Sequence, residues 1–365
     1  MFLTSISNNI RFNLNANAWR RLREVYADQS IPAVVDLQNR FAGIWLSTLE
    51  RIAYGPSKVP AQPLEVIFVI GHWRSGTTLL HELLCQDPRS NFPTTYACMN
   101  PQVFPITEKA VLKRLGNKAV RRPMDEMSIS LGSPQEDEFA LLGLGAPSPY
   151  EGLLFPKVLD RGMAVADPDD LPEIQQRVWI RIFSKFLSQV AVRKPGGVVV
   201  LKSPTHSFRV KLLSRLYPNA RFIHIVRNPI EVFNSTLNMW KELCSLYALT
   251  DLPDSDSLTK QVIANWINLE EKLDAAVPSL RAENYVRVRF EELTTKPVAE
   301  MERIYDTLRL ERFSTVLPLI ERYLAIHANF KKNRFDLAPE NASEIYVAWR
   351  HIFEKYGYPA PTPLG

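Results

Sequence analysis

A doubly wound α/β domain is what this 365-residue sequence predicts: a parallel sheet of the phosphate-loop (P-loop) type, flanked by helices and preceded by a helical extension. Three observations predict it. Four short apolar runs, EVIFVI (65–70), GVVVL (197–201), RFIHIV (221–226) and YVRVR (285–289), are β-rich in the manner of buried parallel strands. Stretches with helical spacing separate them, as βα units require. The first run also enters a glycine turn, GHWRSGTT (71–78), and a helix follows.

Taken in order, residues 1–63 form the helical extension. Ala18–Tyr26 and Val34–Ala53 carry apolar residues at mixed three and four spacing, with Arg20, Arg21, Arg23, Arg40 and Arg51 interspersed. These helices are expected to pack on the main domain; contact with a membrane or a partner is the alternative. The proline-bearing joint GPSKVPAQP (55–63) leads into the main domain, 64–365. Helices are predicted over Thr77–Cys85, 108–122, Glu173–Val192, Ser207–Leu216, Pro229–Tyr247 and Leu258–Ala276, and Pro229 suits a first helical position. A last helix, about Ser343–Tyr356, would start at a capping box of Asn341 and Glu344. Residues 92–170 are a long insertion where acceptor recognition is expected. Phe92, Tyr96, Met99, Phe104, Met124, Met127, Phe139 and Tyr150 give it apolar lining. Its basic stretch EKAVLKRLGNKAVRR is a solvated helix face or a contact for anionic lipid or glycan.

The net charge of +5 suits an anionic small ligand and makes no case for nucleic acid. Three scattered cysteines, Cys85, Cys98 and Cys244, argue against a disulfide framework or a zinc site. The start MFLTSISNNIRF lacks the pattern of a signal peptide, and no apolar run reaches the ~18–20 residues of a membrane span. A cytoplasmic protein is expected.

The glycine turn has the spacing of a phosphate loop, with Thr77 where an NTPase carries lysine. Backbone N–H groups and side chains of Arg74, Ser75, Gly76, Thr77 and Thr78 would surround one anion at a helix start. An ATPase or kinase also needs a magnesium ligand, often an Asp ending another strand. Here that strand ends in Lys202-Ser203, so an anion held without metal is expected, with Arg74 or Lys202 replacing the lost cation. The strand 221–226 delivers Arg227, and Ser235 follows eight residues later on a helix. Together they offer a fixed charge and a hydroxyl to a second phosphate.

These paired motifs resemble those of the sulfotransferase superfamily that uses 3′-phosphoadenosine 5′-phosphosulfate (PAPS). GHWRSGTTLL is similar to its 5′-phosphosulfate loop, and IVRNPIEVFNS to its 3′-phosphate motif. LKSPTHSFRVKLLSRLYPNARF (201–222), VRFEELTTKP (288–297) and PQEDEFALL (134–142) resemble segments of a bacterial-type branch, and the likeness spans roughly 65–357. The resemblance implies that Arg74 to Thr78 take the phosphosulfate and that Arg227 and Ser235 take the 3′-phosphate. It implies in-line, metal-independent transfer of a sulfuryl group to a hydroxyl or amine, yielding PAP. Arg74 and Lys202 would stabilise the developing charge. A base takes the acceptor proton: His206, or Glu136 or Asp137. Cytosolic members place a base histidine two residues after the lysine, where this chain has Pro204. In place of their carboxyl-terminal phosphate loop stands NFKKNRFDL (329–337), with Lys331, Lys332 and Arg334. Lipid, glycan and small hydroxylated metabolite remain open as acceptors. The rival readings are an ATP-dependent phosphotransferase and a non-catalytic PAP-binding protein.

Overall fold

A computed structural model describes residues 13–55, 64–115, 118, 120–121, 128–327 and 339–361. Seven strands are present among them: β1 (Glu65–Ile70), β2 (Ser90–Asn91), β3 (Val120–Arg121), β4 (Ser128–Ile129), β5 (Val198–Lys202), β6 (Arg221–Val226) and β7 (Tyr285–Arg289). Five form one sheet in the order β2-β5-β1-β6-β7, and β3 pairs with β4 in a small antiparallel ribbon. β6 runs parallel to β1, Ile70 opposite His224, and parallel to β7, Val226 opposite Arg289. β1 is central and carries the most apolar run; from Val66 to Ile70 it is wholly buried, as a strand covered on both faces must be. The α/β class and the parallel sheet are as the sequence predicts.

The chain folds as two compact units: Met1–Leu64 with Asn91–Val199 and Lys241–Asp254, and Glu65–Ser90 with Val200–Trp240 and Ser255–Gly365. In the first, the N-terminal helices Ala16–Val25 and Ala33–Tyr54 lie together, Trp19 donating its indole N–H to Asp36 at 3.0 Å. They are tied to the insertion by Asn15 N to Gly143 O (3.0 Å), Tyr54 OH to Pro101 O (2.6 Å) and an Arg21–Glu151 ion pair (2.7 Å). Glu151 is buried, and that bidentate-capable cation offsets the cost of desolvating it.

Three local expectations change. The helix expected over 108–122 is Phe104–Leu115, and Val120–Arg121 is a strand. Gly116-Asn117 is a helix-stop signal that the basic periodicity masked. Ser207–Leu216 is a 3₁₀ turn, Pro204–Arg209, before a helix Val210–Leu216. The final helix starts at Pro339, ahead of the expected capping box, and has non-helical dihedrals at Trp349. No helix of the described residues is long and apolar enough to cross a membrane.

Candidate active site

The second unit carries the loop that follows β1. Gly71 has φ +144°, and a Cβ there would stand 2.4 Å from Ile225 O on β6. Gly76, at φ +103°, leads into the helix Thr77–Leu84, and a Cβ there would meet the Phe290 ring at 2.2 Å. Only glycine satisfies both the dihedral and the space. Between them His72 O accepts from Ser75 N (3.3 Å) and Ser75 Oγ (2.8 Å), closing the turn. Arg74 has φ +66°, which costs a non-glycine residue about 1–2 kcal/mol.

The energy stored at Arg74 is offset by its contacts. Arg74 Nε donates to Ser235 Oγ at 2.8 Å, Arg227 Nη1 donates to Arg74 O at 3.2 Å, and Thr236 Oγ1 donates to Trp73 O at 3.2 Å. The loop and the start of the Pro229–Tyr247 helix are thereby locked together. Asn228 Oδ1 accepts from Ile230 N (3.0 Å), fixing that helix entry. The Arg227 guanidinium lies 4.4 Å above the Phe290 ring, so one aromatic side chain supports both Gly76 and Arg227. Glu231, one turn along, accepts from Arg227 Nε (2.9 Å) and Nη2. Loop hydroxyls, backbone N–H groups and two arginines form a donor set suited to a polyanion. Glu231 is the exception, a carboxylate already paired with Arg227.

On the other side of the loop, Ser207 Oγ accepts from Gly71 N (2.8 Å) and donates to Gly71 O (3.2 Å). The turn after β5 is therefore bolted to the loop's first glycine. Lys202, at the end of β5, is 1 % exposed. His206 is wholly buried, its ring edge-on to Phe68 at 5.3 Å. His72, inside the loop, points inward and stacks on Trp266 at 4.4 Å. Its Nδ1 lies 2.9 Å from Trp73 O and so carries the hydrogen; burial holds its pKa down to about 4.

Glu136 belongs to the first unit, where it is half-buried and accepts from the Tyr150 hydroxyl. Its neighbours Asp137 and Glu138 are fully buried, and Glu138 accepts from Ser148 Oγ at 2.7 Å. Arg334, Lys331, Lys332, Met124 and Met127 lie outside the described residues. Sequence reasoning missed Phe290, Ser207, Thr236 and Glu231. Only Glu231 left a local signal, four residues after Arg227 on a helix.

Comparison with known proteins gives three likenesses. A model described as "Sulfotransferase family" matches residues 66–314. The chain is 36% identical over 334 residues to the omega-hydroxy-beta-dihydromenaquinone-9 sulfotransferase Stf3 of Mycobacterium bovis, covering 90% of this chain and 84% of that protein. In fold it is similar to sulfotransferase STF9 of Mycobacterium avium (TM-score 0.68, 18% identity, covering 95% of this chain and 93% of that one). It is also similar in fold to STF1 of Mycobacterium tuberculosis (TM-score 0.62, 16% identity, covering 92% and 93%).

Proposed function

The chain belongs to the sulfotransferase family, and on that premise we propose that it moves a sulfuryl group from PAPS to a hydroxyl on a lipophilic acceptor. The observation that carries the donor assignment is the chain of contacts Ser235–Arg74–Arg227, which joins the two motifs into one cationic, hydroxyl-bearing constellation. An ordinary nucleoside triphosphate needs only the first motif. A nucleotide bearing both a 5′-phosphosulfate and a 3′-phosphate uses both.

Arg74, Ser75, Gly76, Thr77 and Thr78 would hold the phosphosulfate, and Arg227 with Ser235 the 3′-phosphate. Gly71 and Gly76 let the loop pack closely on Ile225 and Phe290, which fixes the backbone that would face such a group. Bound there, PAPS would supply an activated sulfuryl group and a nucleotide leaving group. Arg74 and Lys202 neutralise charge as it develops on the transferred and departing oxygens. Lys202 is buried, so a charge held there would be less screened by water than one at the surface. A base takes the acceptor proton, and His206 and Glu136 stand for that role. For the acceptor, the support is the Stf3 likeness, whose name specifies an ω-hydroxylated dihydromenaquinone.

Thermal shift with PAP and with ATP tests the donor. PAP is expected to stabilise the protein and ATP not. Arg227→Ala should cost about 10–100-fold in PAP affinity, the worth of a charged hydrogen bond. Equal stabilisation by ATP overturns the reading. With labelled PAPS and an ω-hydroxylated polyisoprenoid quinone, Glu136→Gln and His206→Asn are then compared. Loss of about 10²-fold or more in kcat with intact PAP affinity identifies the base; no loss in either removes both.

A further inference from the structure

The outer face of the Ala33–Tyr54 helix is apolar along almost its whole length. Val34, Leu37, Phe41, Ile44, Trp45 and Ile52 are each between 56% and 69% exposed. At helical pitch they fall within about 100° of arc and run for roughly 27 Å. Thr48 is the one polar residue inside the stripe. The opposite side packs on the unit through buried Asn39, Gly43 and Tyr54 and half-buried Leu46 and Leu49. The six large apolar side chains left facing outward are therefore not accounted for by that packing.

The border of the stripe is basic. Arg40 and Arg51 are exposed along one edge, Arg40 at 62% even while it pairs with Asp36. The helix Phe104–Leu115, in the same unit and packed against it, exposes Lys109, Lys113, Arg114 and the apolar Ile106. Aliphatic and aromatic side chains edged by arginine and lysine match the boundary between acyl chains and anionic headgroups. The helix is not apolar enough to span a bilayer, so this geometry suits lying in the surface. A second copy fits less well, because antiparallel pairing across the stripe brings like-charged arginine edges together.

We propose that this helix docks the protein on anionic lipid surfaces, its apolar stripe entering the headgroup boundary and Arg40, Arg51 and the Phe104–Leu115 cations meeting lipid phosphates. The docking surface is independent of which acceptor the enzyme uses. The test is co-sedimentation of the full chain with phosphatidylcholine vesicles, with and without about one third phosphatidylglycerol. Binding is expected only with the anionic lipid, and is expected to weaken at high salt. Phe41→Ser with Trp45→Ser should reduce partitioning about tenfold or more, and Arg40→Glu with Arg51→Glu should weaken it several-fold. Both pairs should keep PAP affinity, which separates failure of docking from failure of the donor assignment. Absence of binding to anionic vesicles overturns the proposal. So does unchanged binding in both double variants. A dimer in light scattering that the serine variant abolishes, without vesicle binding, assigns the stripe to a second copy instead. Should the serine variant not fold, the lipid and salt dependence of the unaltered protein and the charge-reversal pair decide.

Discussion

Arg74 combines a strained backbone with the central side chain of the site, and the two effects are separable by mutation. Arg74→Ala removes the guanidinium and keeps the left-handed strain; Arg74→Gly removes both. Both variants should lose PAP affinity by about tenfold or more with the hydrogen bond to Ser235. In urea unfolding, however, the glycine variant should be the more stable of the two by about 1 kcal/mol. Equal stabilities would show that the surrounding contacts remove the strain. At this scale the sequence was informative where chemistry is local. Arg74, Arg227 and Ser235 could be read from spacing, because a strand end and the helix after it fix where those side chains begin. Phe290 could not, since it arrives from β7's end, more than sixty residues beyond Arg227, to support both glycine and arginine. For His206 the place after a strand could be read, while its packing edge-on to Phe68 could not.

The Pro229–Tyr247 helix was legible to the residue, because proline fixes its first position and the strand before it is short. Its first turn also holds Glu231, which favours the positive helix end and pairs with Arg227. A ligand phosphate at Arg227 must share or displace that carboxylate. Glu231→Gln is therefore expected to raise PAP affinity by roughly two- to fivefold, the range of an exposed ion pair worth ~0.5–1 kcal/mol. The same change should lower stability by about 0.3–1 kcal/mol through the lost dipole contact. Isothermal titration and urea unfolding measure the two effects; unchanged or weaker PAP binding would show that Glu231 does not compete. The 104–115 helix was harder to place, because the charges of 108–122 keep a helical period in sequence as far as Val120–Arg121, which are a strand. The 3₁₀ turn at Pro204–Arg209 was invisible for another reason: it is set by Ser207 reaching Gly71, a tertiary contact.

For the molecule as a whole, acid stability follows from two buried histidines. Burial holds His72 down to about 4, and burial with the nearby Lys355 and Arg287 charges holds His224 down to about 3. Unfolded histidine titrates near 6.5. As pH falls below that value the unfolded chain gains protons that the folded one refuses, so stability is complete above about 6.5 and is lost towards 4. Each histidine adds a slope of about 1.4 kcal/mol per pH unit in that window. Urea unfolding between about pH 7 and pH 5 should show the decline, and His224→Phe should make it shallower; a flat profile contradicts both shifts. What the sequence could not convey at this scale is how the chain shares itself between its two units. It passes from one to the other at 64/65, 90/91, 199/200, 240/241 and 254/255, within β2, β5 and the Pro229–Tyr247 helix as well as between elements. Neither unit is a cassette. Neither can be exchanged as one continuous segment of chain. The 91–199 stretch would have to be grafted with both seams inside β-strands, where a slip of one residue turns every side chain to the opposite face.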